Sequence, residues 1–131
     1  ANDKGLPALR DVSFSICGGE ILGIAGVAGN GQRELAEIVT GLRKVTQGQV
    51  LINGKDRTNR SPLEIIQSGV SHIPADRIGM GVVGDMGVGE NIAMKGYRQP
   101  PLTKYGILHP RRILELARRM IETFRIATPS P

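Results

Sequence analysis

Apolar and polar positions along the first part of the chain predict strands and a helix in alternation. Residues 12–16 read Val-Ser-Phe-Ser-Ile, the period-two pattern of a half-buried strand. Residues 21–25 are almost continuously apolar and run into glycine-rich sequence, which is typical of a buried strand before a phosphate-binding turn. Residues 32–40 then repeat apolar side chains at helical spacing and are followed by Gly41, a common helix terminator.

The middle of the chain predicts a hairpin, a short helix and a further strand. Residues 49–52 predict a strand, and the Asn53-Gly54 pair after it is the strongest short signal for a two-residue hairpin turn. Residues 61–64, Ser-Pro-Leu-Glu, have the layout of a capping box with Pro at the first helical position. We therefore expect a short helix that stops at Gly69, followed by a strand over residues 70–73.

The last third predicts a loop and two helices. Residues 76–89 are rich in Gly and Met and predict a loop, after which a helix restarts near Glu90. Pro110 opens the final helix, whose apolar stripe consists of Ile113, Leu116, Ala117, Met120, Ile121 and Phe124. The opposite face carries five Arg and two Glu, which indicates a solvated, self-paired surface rather than a basic recognition helix.

Composition favours a layered α/β protein. The chain has 131 residues, of which 40% are hydrophobic and 22% charged, a balance that excludes a disordered chain. Aromatic residues make up only 3% and Trp is absent, so the core must be aliphatic, as is common in α/β folds. The length suits one domain or part of one.

The net charge of +5 and the single cysteine bear on which partners the protein binds and in which redox compartment it lies. Lys and Arg are spread along the chain without a nucleic-acid-binding motif, so we expect no nucleic-acid partner. No run of about 18 apolar residues is present, so we expect no direct membrane insertion. With Cys17 alone, a reducing compartment is the simplest interpretation.

The candidate chemistry lies in a glycine-rich loop at residues 26–33. Its sequence, Gly-Val-Ala-Gly-Asn-Gly-Gln-Arg, has the glycine spacing of the Walker A pattern G-x-x-x-x-G-K-S/T between a predicted strand and a predicted helix. In a working loop, backbone N–H groups and the helix N-terminus hold phosphate, Lys reaches the β and γ phosphates, and Ser or Thr holds magnesium. Here Gln32 stands at the Lys position and Arg33 at the hydroxyl position.

These two replacements predict a degenerate site. Gln32 carries no charge for the phosphoryl group, and Arg33 cannot ligate a cation, although it can contact phosphate itself. The predicted nucleotide-binding residues are Gly26, Ala28, Gly29, Asn30, Gly31, Gln32 and Arg33, with no catalytic residue and no metal ligand. The alternative is a glycine turn that only lets a strand and a helix pack closely.

The chain resembles ABC transporter ATPases. The resemblance rests on Ala-Leu-Arg-Asp-Val-Ser-Phe-Ser-Ile at residues 8–16, Gly-Glu-Ile at 19–21 and the loop itself. The continuation of the loop into Glu-Leu, then Gly41-Leu42, Gly48, Gly54 and Ile-Pro-Ala-Asp-Arg at 73–77, is similar to the second cassette of two-cassette sugar and nucleoside importers. The resemblance covers essentially the whole chain.

This resemblance implies a partial P-loop NTPase fold of class α/β. It implies a mixed sheet with the phosphate-loop helix over residues 1–84 and the start of a helical subdomain over 85–131. It also implies that the chain stops before the Leu-Ser-Gly-Gly signature, and lacks the strand whose aromatic residue stacks on adenine. We therefore expect an incomplete sheet and self-association of the chain.

The resemblance also implies cofactors, partners and location. ATP would bind weakly at the degenerate site, while Mg²⁺ would belong to the paired site of the parent protein. The partners would be a second ATP-binding cassette and transmembrane permease subunits, with the protein cytoplasmic and peripheral at the inner face of the cell membrane. A permease-facing loop would consist of Pro74, Ala75, Asp76 and Arg77, where Ala75 departs from the subfamily's Glu.

The main hypothesis is thus the ATP-binding segment of an importer for sugars or nucleosides, inactive as an ATPase by itself. Two alternatives stay open. One is an active NTPase with an unusual phosphate loop, and the other is a structural module that contacts a permease without nucleotide.

Overall fold

The computed structural model describes residues 8–131, which divide into two units with the boundary between His72 and Ile73. The first unit contains α1 (Gln32–Val39), β1 (Leu51–Ile52), β2 (Lys55–Asp56) and α2 (Pro62–Gln67). The second contains a π-helical turn (Arg77–Gly81), α3 (Val88–Ala93), β3 (Thr103–Lys104), β4 (Ile107–Leu108) and α4 (Pro110–Phe124).

Helix α1 forms where the apolar periodicity predicts it and ends at the predicted glycine. Gly41 has a φ of +76°, and a Cβ at this position would lie 2.8 Å from the Arg60 carbonyl oxygen and 3.1 Å from Ile65 Cγ1. Ile65 of α2 is only 2% exposed and is the main buried side chain of this unit. Gly41 therefore ends α1 and also lets the chain pass close to α2.

The predicted hairpin is confirmed. Strands β1 and β2 pair antiparallel, with Leu51 opposite Asp56 and Ile52 opposite Lys55. Asn53 and Gly54 have φ values of +52° and +72°. Two successive left-handed residues are characteristic of the type I′ turn that Asn-Gly favours.

The predicted capping box of α2 is confirmed as well. The Ser61 side chain accepts a hydrogen bond from the Glu64 N–H, and the Glu64 carboxylate accepts one from the Ser61 N–H at 3.0 Å. Gly69 follows the helix with a φ of +93°. Two otherwise unpaired donors at the helix start are thereby satisfied, which explains why so short a helix is stable here.

Three predicted strands are wrong as strands of this structure. Residues 12–16, 21–25 and 70–73 belong to neither helix nor strand, and of residues 49–52 only the last two pair. Ile21 is 97% exposed, which contradicts burial on both faces. A strand requires a neighbour for its backbone N–H and C=O groups, and within residues 8–131 the only ladders are β1 with β2 and β3 with β4.

In the second unit, α3 packs on α4 through small residues. Gly89 is buried, and a Cβ there would lie 3.2 Å from the Cβ of Ala117, which is fully buried on α4. Ala93, one turn further along α3, is 3% exposed. The predicted stripe of α4 faces inward from Ile113 to Ile121 and leaves Phe124 70% exposed.

The segment before α3 is shaped by one side chain, that of Asn91. Its Nδ2 lies 3.0 Å from the Val83 oxygen and 3.1 Å from the oxygens of both Met86 and Gly87. Its Oδ1 accepts a hydrogen bond from the Val83 N–H at 2.8 Å. The predicted loop over residues 76–89 is therefore ordered, with a π-helical turn at its start and the first residues of α3 at its end.

Among the described residues, no helix combines the length and the apolar character needed to cross a membrane.

Candidate nucleotide site

The loop at residues 26–33 owes its path to two left-handed glycines. Gly29 and Gly31 have φ values of +90° and +100°, which a residue with a Cβ adopts only with strain. Between them, the Asn30 N–H donates to the Val27 carbonyl oxygen at 3.3 Å and closes a turn. The glycine spacing seen in the sequence thus corresponds to a real backbone requirement.

Gly31 is also the N-cap residue of α1, directly before its first residue Gln32. The Leu35 N–H donates to the Gly31 carbonyl oxygen at 2.9 Å, whereas no side chain among residues 8–131 caps the helix start. The first N–H groups of α1 consequently offer donors to a ligand, and the helix dipole favours a negative one. A Cβ at Gly31 would lie 2.8 Å from the Ala8 oxygen, so the chain before the loop packs directly against it.

Gln32, at the Walker Lys position, folds back onto the loop. Its Nε2 donates to the Val27 carbonyl oxygen at 3.2 Å. The same atom would lie 2.2 Å from a Cβ placed on Gly26, so it occupies the space that the first glycine of the pattern leaves open. Gln32 therefore closes the loop on itself with a neutral hydrogen bond in place of a cation directed at phosphate.

Arg33, at the Walker hydroxyl position, extends along α1. Its Nε lies 2.7 Å from Glu37 Oε1, one helical turn further on. Glu37 Oε2 in turn lies 2.6 Å from Nε of Arg43, which follows the helix. The Arg33 side chain is 66% exposed and that of Arg43 only 18%, so the Arg43 pair is the better shielded of the two.

Glu37 is the buried charge of this region, with 8% of the residue exposed. Burial by itself raises the pKa of its carboxyl, but the hydrogen bonds from Arg43 and Arg33 outweigh burial and hold that pKa below its ordinary value of 4.5. Glu37 is therefore ionised at neutral pH and offsets much of the Arg33 charge. Glu37 is absent from the residues predicted from the sequence, although its four-residue spacing from Arg33 indicates an ion pair on one helix face.

The second predicted site, residues 74–77, lies in the other unit and bends back on itself. Asp76 caps the turn Arg77–Gly81, with its Oδ1 accepting from the Gly79 N–H at 2.8 Å. A Cβ at Gly81 would lie 3.3 Å from Pro74 Cγ, so the turn closes over the proline. Ala75 and Arg77 are exposed, whereas the Asp76 carboxylate serves the local turn.

Comparison with known proteins assigns the family. The family model described as ABC transporter matches residues 9–127. The chain belongs to the ABC transporter family. Its fold is accordingly that of the ABC ATPase domain, a P-loop NTPase of class α/β, of which this chain is a part. The family assignment also supplies ATP with Mg²⁺ as the general ligand of this domain.

The curated relatives are import proteins. The chain is 45% identical over 126 residues to the guanosine import ATP-binding protein NupO of Bacillus subtilis, covering 96% of the chain and 25% of that relative. It is 42% identical to the nucleoside import ATP-binding protein NupA of Lactococcus lactis, covering 94% of the chain and 24% of the relative. It is 41% identical to the glucose import ATP-binding protein TsgD13 of Haloferax volcanii, covering 95% of the chain and 23% of the relative.

The chain spans about a quarter of the length of these curated relatives. No solved structure gives a significant match to it.

The ABC phosphate loop of this chain suits a phosphate and does not suit a magnesium ion. Among the residues that the structure describes, a Cβ at Gly29 would meet nothing within 4 Å and no side chain caps the start of α1, whose N–H groups lie beside it. Both features fit an anion. A guanidinium at position 33 supplies no lone pair to a metal and repels it, so no magnesium ligand stands where the family's loop has one.

Proposed function

We propose that this chain is part of the ATP-binding subunit of an ABC importer for nucleosides or sugars, in which hydrolysis occurs at a paired cassette. The names of the relatives support the importer class, since guanosine, nucleoside and glucose import all occur among them. The main observation in support of a degenerate site is the hydrogen bond from the Gln32 amide to the Val27 carbonyl oxygen. Gln32 stands at the position where a working loop has a Lys directed at phosphate.

In this proposal nucleotide is held mainly by backbone. The binding residues are Gly26, Ala28, Gly29, Asn30, Gly31, Gln32 and Arg33, with the N–H groups beside Gly29 and Gly31 as the principal donors. Arg33 contributes a charged contact only when its side chain turns from Glu37 toward the loop. Its contribution is therefore smaller than that of a phosphate-binding Lys.

The proposed assembly follows from the same class of protein. A second ATP-binding cassette and transmembrane permease subunits are the partners, and the protein acts as a peripheral subunit at the cytoplasmic face of the membrane. Exposed Ala75 and Arg77 are available to a permease, whereas Pro74 and Asp76 set the shape of that loop. The division into an ATP-binding core over residues 1–84 and a helical subdomain from 85 belongs to this proposal.

Titration with a fluorescent ATP analogue, with and without Mg²⁺, tests the proposal. The unaltered chain should bind weakly and independently of Mg²⁺. The double substitution Gln32→Lys with Arg33→Thr restores the Walker residues and should bind at least tenfold more tightly, with a new dependence on Mg²⁺.

Arg33→Ala should weaken binding of the analogue by about 1 kcal/mol, less than the roughly 1.5–3 kcal/mol of a hydrogen bond to a charged group, because Glu37 competes for the guanidinium. Arg60→Ala is the matched control. Arg60, which precedes α2, also pairs with a glutamate four residues on, Glu64 at 3.7 Å, but it is not part of the loop at residues 26–33. Equal loss of binding in both variants would show that Arg33 acts through helix stability alone.

A structural module without nucleotide is the second candidate. It is favoured because both residues that replace Walker A residues are bonded within the chain. Gln32 donates a hydrogen bond to the Val27 oxygen, and Arg33 forms an ion pair with Glu37. No binding by either the unaltered chain or the restored double variant would establish this candidate. Magnesium-dependent turnover by the unaltered chain would instead establish an active NTPase.

A further inference from the structure

The positive charge of the protein is concentrated in one stretch of the second unit. Residues 91–114 contain five Lys and Arg and no Asp or Glu, so this basic segment has a formal charge of +5, equal to that of the whole chain. The remaining residues carry 12 basic and 12 acidic side chains. The net positive charge is therefore not evenly distributed along the chain. The five cations are Lys95, Arg98, Lys104, Arg111 and Arg112, of which Arg112 forms an ion pair at 2.9 Å with Glu115, just beyond the segment.

The basic segment is built around the hairpin of β3 and β4. Thr103 pairs with Leu108 and Lys104 with Ile107, and the base is closed by the His109 N–H donating to the Leu102 oxygen at 2.9 Å. Leu102 is 6% exposed and anchors the hairpin in the core of the unit. The hairpin thus projects from a buried attachment point.

The tip of this hairpin is apolar and exposed. Tyr105 and Gly106 form the turn with φ values of +52° and +79°, and Tyr105 is 92% exposed. Ile107 is 68% exposed and Leu108 47%. Ile107 is the cross-strand neighbour of Lys104, so Tyr105 and Ile107 are exposed beside that lysine, whereas Leu108 is exposed on the opposite face of the hairpin. Water alone does not favour this exposure of large apolar side chains.

Each tyrosine of the basic segment carries its own cation. The Lys104 Nζ lies 5.4 Å from the ring centroid of Tyr105, and the Arg98 Cζ lies 5.3 Å from that of Tyr97. The Thr103 hydroxyl donates to the Tyr97 carbonyl oxygen, which ties the second pair to the base of the hairpin. Each ring is thus held beside a cation, and the Arg98 Nε also donates to the Tyr97 hydroxyl at 2.9 Å.

We propose that the hairpin and its neighbouring cations bind an anionic phospholipid surface. Lys and Arg attract anionic headgroups, while tyrosine rings settle at headgroup level and short apolar side chains enter the adjoining layer. The chemistry of the tip matches that interface in both charge and polarity. This goes beyond the proposed function and does not depend on nucleotide binding.

Two other occupants fit less well. Cytoplasmic loops of membrane proteins carry an excess of Lys and Arg, so a permease loop repels a +5 segment where lipid headgroups attract it. A nucleic acid would stack its bases on the tyrosine rings but would leave exposed Ile107 and Leu108 in water, whereas a lipid surface takes up cations, rings and aliphatic side chains together.

Co-sedimentation of the full chain with lipid vesicles tests the proposal. Vesicles of phosphatidylcholine alone are compared with an equal mixture of phosphatidylcholine and phosphatidylglycerol, and with the mixture in about 1 M salt, where charges are screened beyond about 3 Å. Binding is expected only to the mixture at low salt. Arg98→Gln and Lys104→Gln should each weaken it about fivefold, and Tyr105→Ser should weaken it further.

The hairpin of β1 and β2 supplies the matched control. It has the same two-residue turn geometry, but Lys55 is accompanied by Asp56, so its charges cancel. Lys55→Gln should leave vesicle binding unchanged, and circular dichroism confirms that each variant keeps its helices. The proposal fails if the hairpin variants bind the mixture as well as the unaltered chain. It also fails if a single-stranded oligonucleotide displaces the chain from vesicles and binds it more tightly.

Discussion

Replacing Glu37 with Gln removes the negative charge that Arg33 and Arg43 both contact. The isosteric amide keeps the volume of the side chain, so the change isolates charge from packing. The largely buried Arg43 guanidinium then loses its 2.6 Å contact with the Glu37 carboxylate, whereas the loss at Arg33 affects a side chain that is mostly exposed to water. We expect a less stable first unit, with nearly all of the loss traceable to Arg43.

The magnitude follows from the two exposures. A hydrogen bond to a charged group that is shielded from water contributes about 1.5–3 kcal/mol, and the 2.6 Å contact with Arg43, at 18% exposure, belongs to this class. An exposed ion pair contributes about 0–1 kcal/mol, which applies to Arg33 at 66% exposure. Glu37→Gln and Arg43→Ala should therefore each cost about 2 kcal/mol, and Arg33→Ala less than about 1 kcal/mol.

Urea denaturation followed by circular dichroism measures these costs. With a slope of about 2 kcal/mol per molar urea, the midpoint should fall by about 1 M for Glu37→Gln and Arg43→Ala. Glu34→Gln on the same helix is the control and should cost less than about 1 kcal/mol, the contribution of an acidic residue to the helix dipole. An Arg33→Ala midpoint as low as that of Arg43→Ala would refute the reasoning from exposure.

The pH dependence gives an independent check. Because the pKa of Glu37 is lowered in the folded state, its stabilisation is complete above the ordinary value of 4.5 and is lost as the pH falls through the lowered pKa. The difference in unfolding free energy between the unaltered chain and Glu37→Gln should shrink below that range. A difference that stays constant into acid would mean that the carboxylate charge is not what stabilises the fold.

Three further predictions concern surfaces and packing. Light scattering across a concentration series should show self-association, because exposed apolar side chains such as Ile21 lack a covering strand; Ile21→Asp should reduce the mass, and a monomer at every concentration contradicts this. Gly89→Leu should cost about 1–3 kcal/mol by overpacking against Ala117, whereas Gly84→Leu, with open space around it, should not; equal urea midpoints contradict the packing role. Asn91→Leu should increase proteolysis of the preceding loop, because three carbonyl oxygens lose their donor, and unchanged cleavage there contradicts its role.

Local signals were readable from the sequence. The Asn53-Gly54 turn, the Ser61 capping box and the glycine that ends α1 each depend on a few adjacent residues, and all three form as predicted. The backbone of the glycine-rich loop at residues 26–33 is a further local feature. Gly29 and Gly31, which the Walker A spacing singles out in the sequence, both have positive φ values.

Long-range features were not readable. Residues 21–25 have the composition of a buried strand, but a strand depends on partners elsewhere, and the described residues provide no ladder for it. The environment of Arg33 likewise depends on where Glu37 and Arg43 converge. The helix spacing predicts the first contact, while the second arises from the turn that follows Gly41.

The hydrogen bonds made by Asn91 require a fixed number of residues in the segment before α3. Its single amide group bonds to the backbone of Val83, Met86 and Gly87 at once. All of these bonds can form only if the number of residues between these positions stays the same. An inserted or deleted residue between Val83 and Gly87 would put at least one carbonyl out of reach. Insertions and deletions among relatives should therefore occur outside residues 83–87. Asn91 can then serve as a reference position for aligning distant relatives across this glycine-rich stretch.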